Sequence, residues 1–270
     1  PRPAVPTFAD ANLVLASFNV LNYFNGDGMG GGFPTARGAD SPAEFTRQEA
    51  KIVAALQQMN AAVVGLNELE QDGTGSNSSI QALVDALNAE MGAGTYQFID
   101  DSSVSQSDAI RNAIIYQPAK VMPVGTVQTS TASVNSRPPI AQVFTDNATQ
   151  TEFVFVVNHF KSKGGCGSAT GADQDQNDGQ ACYNQRRKDQ AADLLTLISS
   201  FGMDARVISV GDYNAYAQED PLDILRAGEL TVLGNATDRS FVFFGQSGAL
   251  DHAVVNDNFA ELITGFSKWN

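Results

Sequence analysis

The sequence predicts an α/β protein of two sheets packed face to face with helices outside. Three observations carry that expectation. Strand-length apolar runs are mixed with stretches of helical spacing, the strand-like runs cluster in the middle of the chain, and polar residues that an apolar core would reject recur where those runs end.

The first run, 13–18, reads as a buried strand ending at Asn19, and the glycine-rich stretch from Asn25 to Phe33 reads as a loop. Ser41-Pro42-Ala43-Glu44 is a capping box with proline at the first helical position. The helix it opens runs to about Met59, with Phe45, Ile52, Val53, Leu56 and Met59 on one face. Residues 62–66 form a short apolar strand that delivers Asn67 and Glu68 at its end. A second helix, 79–91, is closed by Gly92. The pattern then turns to strands at 96–99, 109–116, 121–129, 140–145 and 152–158. A helix at 184–201 follows, and a strand at 206–210 delivers Gly211-Asp212-Tyr213-Asn214. A short helix at 221–227 and strands at 241–244 and 252–255 finish the chain. No repeat, linker or low-complexity tract divides residues 1–270, so a single domain is expected.

Thirty acidic residues against sixteen basic ones leave a net charge of −14, the wrong sign for a protein that grips DNA by counterion release over a broad surface. A few local cations and a metal at one phosphate remain compatible with it. No apolar run approaches bilayer length, so no membrane partner is expected. The chain starts Pro1-Arg2-Pro3 without a targeting pattern, so any such peptide is expected to have been removed or to lie upstream. Cys166 and Cys182 bracket a Gly/Asp/Gln-rich loop that gains from a cross-link; a disulfide is the favoured reading over two separate thiols or a metal pair, and with it a secreted or periplasmic location.

The polar strand ends are Asn19, Glu68, His159, Asp212 with Asn214, and Asp251 with His252. A rim of carboxylates, amides and imidazoles suits a divalent ion and an anionic substrate. The segments SFNVLNY, LNELE, SRPPIAQVF, VNHFKSK, VGDYNAY and GQSGALDHAVV stand in the order of the endonuclease/exonuclease/phosphatase family, which the chain resembles over nearly its whole length. The glycine-rich loop, the cysteine loop and GDYNAY look like bacterial secreted endonucleases of the ExeM type.

That resemblance implies a four-layer sandwich and a monomeric, metal-dependent phosphodiesterase acting on nucleic acid, DNA or RNA, with a sphingomyelinase-like lipid phosphodiesterase or a non-catalytic binding member as alternatives. It implies Glu68 as principal ligand of Mg2+ (or Mn2+) with Asn19 beside it, Asp212 orienting or deprotonating water, and Asn214 donating to a phosphoryl oxygen. His159 would sit where charge develops, and Arg137 on the scissile phosphate, with Lys161 nearby. Arg111 or Asp108 would support His159 or the phosphate, a plain strand start being equally open, while Arg186 and Arg187 read as helix packing. Asp251 matches an aspartate that orients a histidine on a later strand within a Ser-Asp-His signature. No Ser-Asp-His occurs among the 270 residues, so the chain is expected to be a clipped form, His252 being the alternative occupant. Asp173 to Gly179 resembles the start of a calcium loop, but its glycine is one place late and residue 184 is Asn where Glu is needed; a solvated acidic loop is expected, with Ca2+ as a secondary ion.

Overall fold

The computed structural model describes residues 4–9, 11–235, 237–243 and 245–269. In chain order its elements are β1 (Leu15–Tyr23), α1 (Pro42–Met59), β2 (Val63–Glu70), α2 (Ser79–Met91), β3 (Gln97–Phe98), β4 (Ile110–Tyr116), β5 (Val121–Thr129), β6 (Ile140–Asp146) and β7 (Glu152–His159). Then come α3 (Asn184–Ser199), β8 (Val207–Asp212), α4 (Asp220–Ala227), β9 (Thr231–Val232), β10 (Phe241–Phe243), β11 (Gln246–Gly248), β12 (Asp251–Val255) and α5 (Asp257–Ala260).

One sheet has the order β1-β2-β4-β3 and the other β5-β6-β7-β8-β12-β9, while β10 and β11 form a separate hairpin. Because side chains alternate along a strand, each sheet feeds two cores. Val64, Leu66, Ala113 and Ile115 pack with Ile52 and Leu56 of α1 and Leu83 of α2. Their neighbours Val63, Ile114 and Tyr116 point the other way, onto Phe144, Phe155, Val157 and Val210 of the second sheet. On its far face that sheet sets Val154 and Val156 against Leu194 and Leu197 of α3 and Leu222 of α4. The result is four layers: helices, sheet, sheet, helices. The two sheets come so close at Gly65 that a Cβ there would stand 2.6 Å from Val157 Cγ2.

Helix starts follow the local chemistry. The Ser41 side chain accepts the Glu44 N–H at the head of α1, and Ser78 accepts the Gln81 N–H at the head of α2. Strand ends do not follow it as closely. β1 and β2 continue past Phe18 and Leu66 through the polar residues, because left-handed backbone at Leu21 (φ 55°), Asn22 (φ 50°) and Glu68 (φ 64°) makes bulges that let pairing resume at Tyr23 and Leu69. Short β9, β11 and α5 had no periodicity to announce them. Phe244, the last residue of the expected 241–244 strand, lies outside the described residues.

Among the described residues β1 is paired on one side only. A cleft of about 550 Å³, lined among others by Phe8, Leu13, Leu15 and Ile263, borders it. No helix of the described residues is long and apolar enough to cross a membrane.

Cys166 and Cys182 are joined, with Cα atoms 5.6 Å apart, across a loop ordered by two 3-10 turns. This loop has little apolar burial of its own, so the cross-link carries much of its order. Replacing both cysteines by serine is expected to lower stability by about 3 kcal/mol, the loop-closure value for this separation, read as a fall in the denaturation midpoint. An unchanged midpoint would show the loop to be held by other contacts.

Candidate active site

The strand registers bring the polar residues to one rim. In the first sheet Asn19 is opposite Asn67, with Glu68 the next residue. In the second, His159, Asp212 and Asp251 lie in one row across β7, β8 and β12. The sheets are bridged at this rim by Asn67, which is fully buried. Its Nδ2 donates to Asn112 Oδ1 at 2.8 Å and to the Asn158 carbonyl at 3.0 Å, and its Oδ1 accepts the Asp212 N–H at 3.1 Å. Sequence reading noted Asn67 only as a strand-end residue; its buried cross-sheet role had no local signal.

Glu68, His159 and Asp212 each offer a ligand atom, and these atoms lie within 4.8 Å of one another. Opposite ligands stand about 4.2 Å apart on an ion the size of Mg2+ and about 5 Å apart on one the size of Ca2+, so the three atoms lie near the span that one divalent ion bridges. His159 Nε2 is 3.8 Å from Asp212 Oδ2, too far for a hydrogen bond, and His159 Nδ1 is buried with no hydrogen-bond partner among the described residues. Two carboxylates and an imidazole with unused donor capacity fit a divalent cation.

The surroundings decide what each group can do. Burial, and then the neighbouring Asp251 carboxylate, pushes Asp212 up to about 7. Burial raises Asp251 as well. Burial holds His159 well below its ordinary value, and Arg137, Arg37 and Lys161 act in the same direction, so the imidazole is neutral at pH 7. Left-handed backbone at Leu21, Asn22, Glu68 and Asn214 gathers at this one rim. Strained dihedrals of this kind persist where surrounding bonds over-determine them. Here Asn22 N–H donates to Glu68 Oε2 and Asn214 N–H donates to Asp212 Oδ1.

Several expected roles look different in place. Asn19 Oδ1 accepts the Leu21 N–H, so its nitrogen faces the carboxylates, 3.1 Å from Glu68 Oε1 and 3.3 Å from Asp212 Oδ2. The amide nitrogen thus donates to both carboxylates, while the oxygen is engaged by the backbone. Asn214 Nδ2 and Arg137 Nη2 both donate to the Phe160 carbonyl, and Arg137 Nη1 is paired with Asp108 at 2.6 Å. Both therefore brace the segment after His159. Lys161 lines the same cavity as Glu68 and His159.

Arg111 is not brought to the group. It is fully buried, bound to Asp101 and to the Gly73 carbonyl. His252 does not occupy the place of a catalytic imidazole either. Its ring nitrogen is 2.9 Å from the Ala215 carbonyl, its ring stands edge-on to Tyr213, and burial, with Lys268, lowers it to about 4. In the acidic loop Asp173, Asp175 and Asp178 accept backbone N–H groups of Arg186, Asn177 and Gln180. Among the described residues no metal-holding group forms there.

No family model matches the chain, and no curated protein matches it in sequence. Solved structures match it in fold. An endonuclease/exonuclease/phosphatase from Bacteroides vulgatus superposes with a TM-score of 0.59 over 90% of this chain and 86% of that one, at 16% identity. D. rerio TDP2 complexed with single strand DNA product gives 0.54 over 90% and 82%, at 15%. A beta hairpin deletion mutant of beta toxin from Staphylococcus aureus gives 0.57 over 92% and 88%, at 15%. At such identities the likeness is one of fold: the chain has the four-layer α/β sandwich of the endonuclease/exonuclease/phosphatase proteins.

Two outcomes follow from the rim. A carboxyl raised in the fold favours folding below its unfolded value near 4 and loses that contribution as pH rises through about 7. Asp212→Asn is therefore expected to melt above wild type at pH 8 in chelator, with the gap closing near pH 4; an equal gap at both values would contradict the assignment. Asn67→Ala strands the Asp212 N–H and two acceptors, and is expected to cost at least about 2 kcal/mol in urea unfolding. A cost within error of zero would remove Asn67 as the bridge.

Proposed function

We propose that this chain is a secreted, divalent-metal-dependent phosphodiesterase acting on nucleic acid, a DNA endonuclease of the ExeM type. The observation that carries the reading is the meeting of Glu68, His159 and Asp212, from two different sheets, within 4.8 Å beside a cavity lined with cations. The shared fold and the order of the six sequence segments support it. The disulfide is compatible with an oxidising compartment.

Mg2+ or Mn2+, when bound, would supply charge stabilisation to the phosphoryl and leaving oxygens. Glu68, with Asp212 and His159 in reach of the same ion, would hold it. Asp212, buried at the rim beside Glu68 and His159, is placed to orient the attacking water or accept its proton. As the new P–O bond forms, the ester bond opposite breaks, and the leaving oxygen departs with one fragment of the substrate and takes up a proton from solvent. With Nδ1 enclosed, neutral His159 turns one nitrogen, Nε2, to the site, where it would either take the ion or, if the ion is held by the carboxylates, donate its N–H to a phosphoryl oxygen where charge develops. Asn19 keeps the two carboxylates in register, and Arg137 holds the Phe160 carbonyl while adding positive potential.

His159→Ala and Glu68→Gln are each expected to lower hydrolysis of plasmid DNA by at least about 100-fold, with melting temperature and circular dichroism retained. A panel of plasmid DNA, RNA, sphingomyelin and a phosphomonoester, with and without chelator, checks the substrate class. Wild-type rate in His159→Ala with unchanged metal dependence would sink the site assignment.

A further inference from the structure

The protein carries a net charge of −14. Yet one cavity of about 410 Å³ is lined by Arg37, Arg137, Lys161 and Arg186 together with Glu68 and His159. Arg37 and Arg137 share Asp108, at 3.0 and 2.6 Å, so part of their charge is already compensated. Lys161 and Arg186 have no ion-pair partner among the described residues. Burial and then the crowding of Arg137, Arg186 and Arg187 lower Lys161, as expected of cations gathered without an anion.

Both side chains are held in place by their surroundings. Lys161 Nζ lies 4.2 Å from the centre of the Tyr183 ring and 3.2 Å from Ser162 Oγ. The Tyr183 hydroxyl is fixed by the Gly165 carbonyl and Ser168, and Tyr183 follows Cys182 of the disulfide, so the cross-linked loop positions the ring that positions the lysine. Arg186 donates through Nε to the Val134 carbonyl, and its two terminal nitrogens take no partner among the described residues. Arg187, about 100° further round the helix, behaves in the opposite way. It is fully buried and spends its terminal nitrogens on the carbonyls of Lys161, Gln180 and Cys182. Arg187 is wholly engaged in packing, whereas Arg186 is braced through Nε and leaves its terminal nitrogens open among the described residues.

We propose that Lys161, Ser162 and Arg186 form a subsite for a second phosphate of the substrate, beside the scissile one at Glu68, His159 and Asp212. A guanidinium with two open N–H donors, an ammonium and a hydroxyl are the groups that recognise a phosphate. The inference rests on the phosphodiesterase reading and deepens it. A phosphomonoester or a single-phosphate diester fills one position, whereas a nucleic-acid strand, with a phosphate on every unit, fills both.

The test is Arg186→Gln, assayed on a short single-stranded DNA and on bis(p-nitrophenyl) phosphate over a range of salt. Binding of the same labelled oligonucleotide is followed in chelator by fluorescence anisotropy. The ratio of kcat/KM on the oligonucleotide to that on the small diester is expected to fall about tenfold, mainly through KM. Oligonucleotide affinity should fall by a similar factor, and the slope of log affinity against log salt should flatten by about 0.7. Equal losses on both substrates, or an unchanged affinity and salt slope, would overturn the subsite. If the wild-type protein hydrolyses neither diester, the phosphodiesterase reading fails while the binding comparison still decides the subsite; no measurable oligonucleotide binding by wild type overturns the subsite itself.

Discussion

The side-chain amide of Asn67 is the interaction on which the rest of the rim depends. It donates to one acceptor in its own sheet and one in the other, and accepts the N–H of Asp212. Two sheets that touch through apolar side chains can slide with little penalty, since hydrophobic contact is not directional. A buried amide with three partners cannot, because any displacement leaves polar groups without bonds. Glu68 and Asp212 belong to different sheets, and their separation is thereby set by hydrogen bonds close to the chemistry.

Holding two carboxylates this close is unfavourable without a cation. Burial and the proximity of Asp251 both disfavour the ionised form of Asp212, and Asn19 offsets part of the cost by donating to Glu68 and Asp212 at once. Backbone strain adds to it at Leu21, Asn22, Glu68 and Asn214. Stability is lost locally so that acidic side chains stand ready for a positive charge. The cores between and outside the sheets supply the surplus that tolerates this.

The cationic cavity answers the acidic composition. With so many acidic side chains, long-range attraction of a polyanion is weak, and recognition falls to a few cations with low-dielectric surroundings. The disulfide loop takes part, since it anchors Tyr183 beside Lys161. A cross-link read from sequence as a means of ordering a polar loop thus also sets a side chain at the cavity wall.

The sequence alone determined whatever depends on neighbours a few residues away. Ser41 and Ser78 cap their helices, alternating strands split between two cores, and the polar residues that end apolar runs were recognisable by their mismatch with a core. Tertiary structure decided the rest. Bulges in β1 and β2, which no periodicity encodes, turned Asn19 nitrogen-first toward Glu68. Packing put Arg111 on Asp101 and His252 on a backbone carbonyl, although both read as polar residues of a site. It also separated Arg186 from Arg187, adjacent in the chain and identical in chemistry. Local periodicity reports which face a residue is on, but the atom it presents there depends on partners contributed by distant strands.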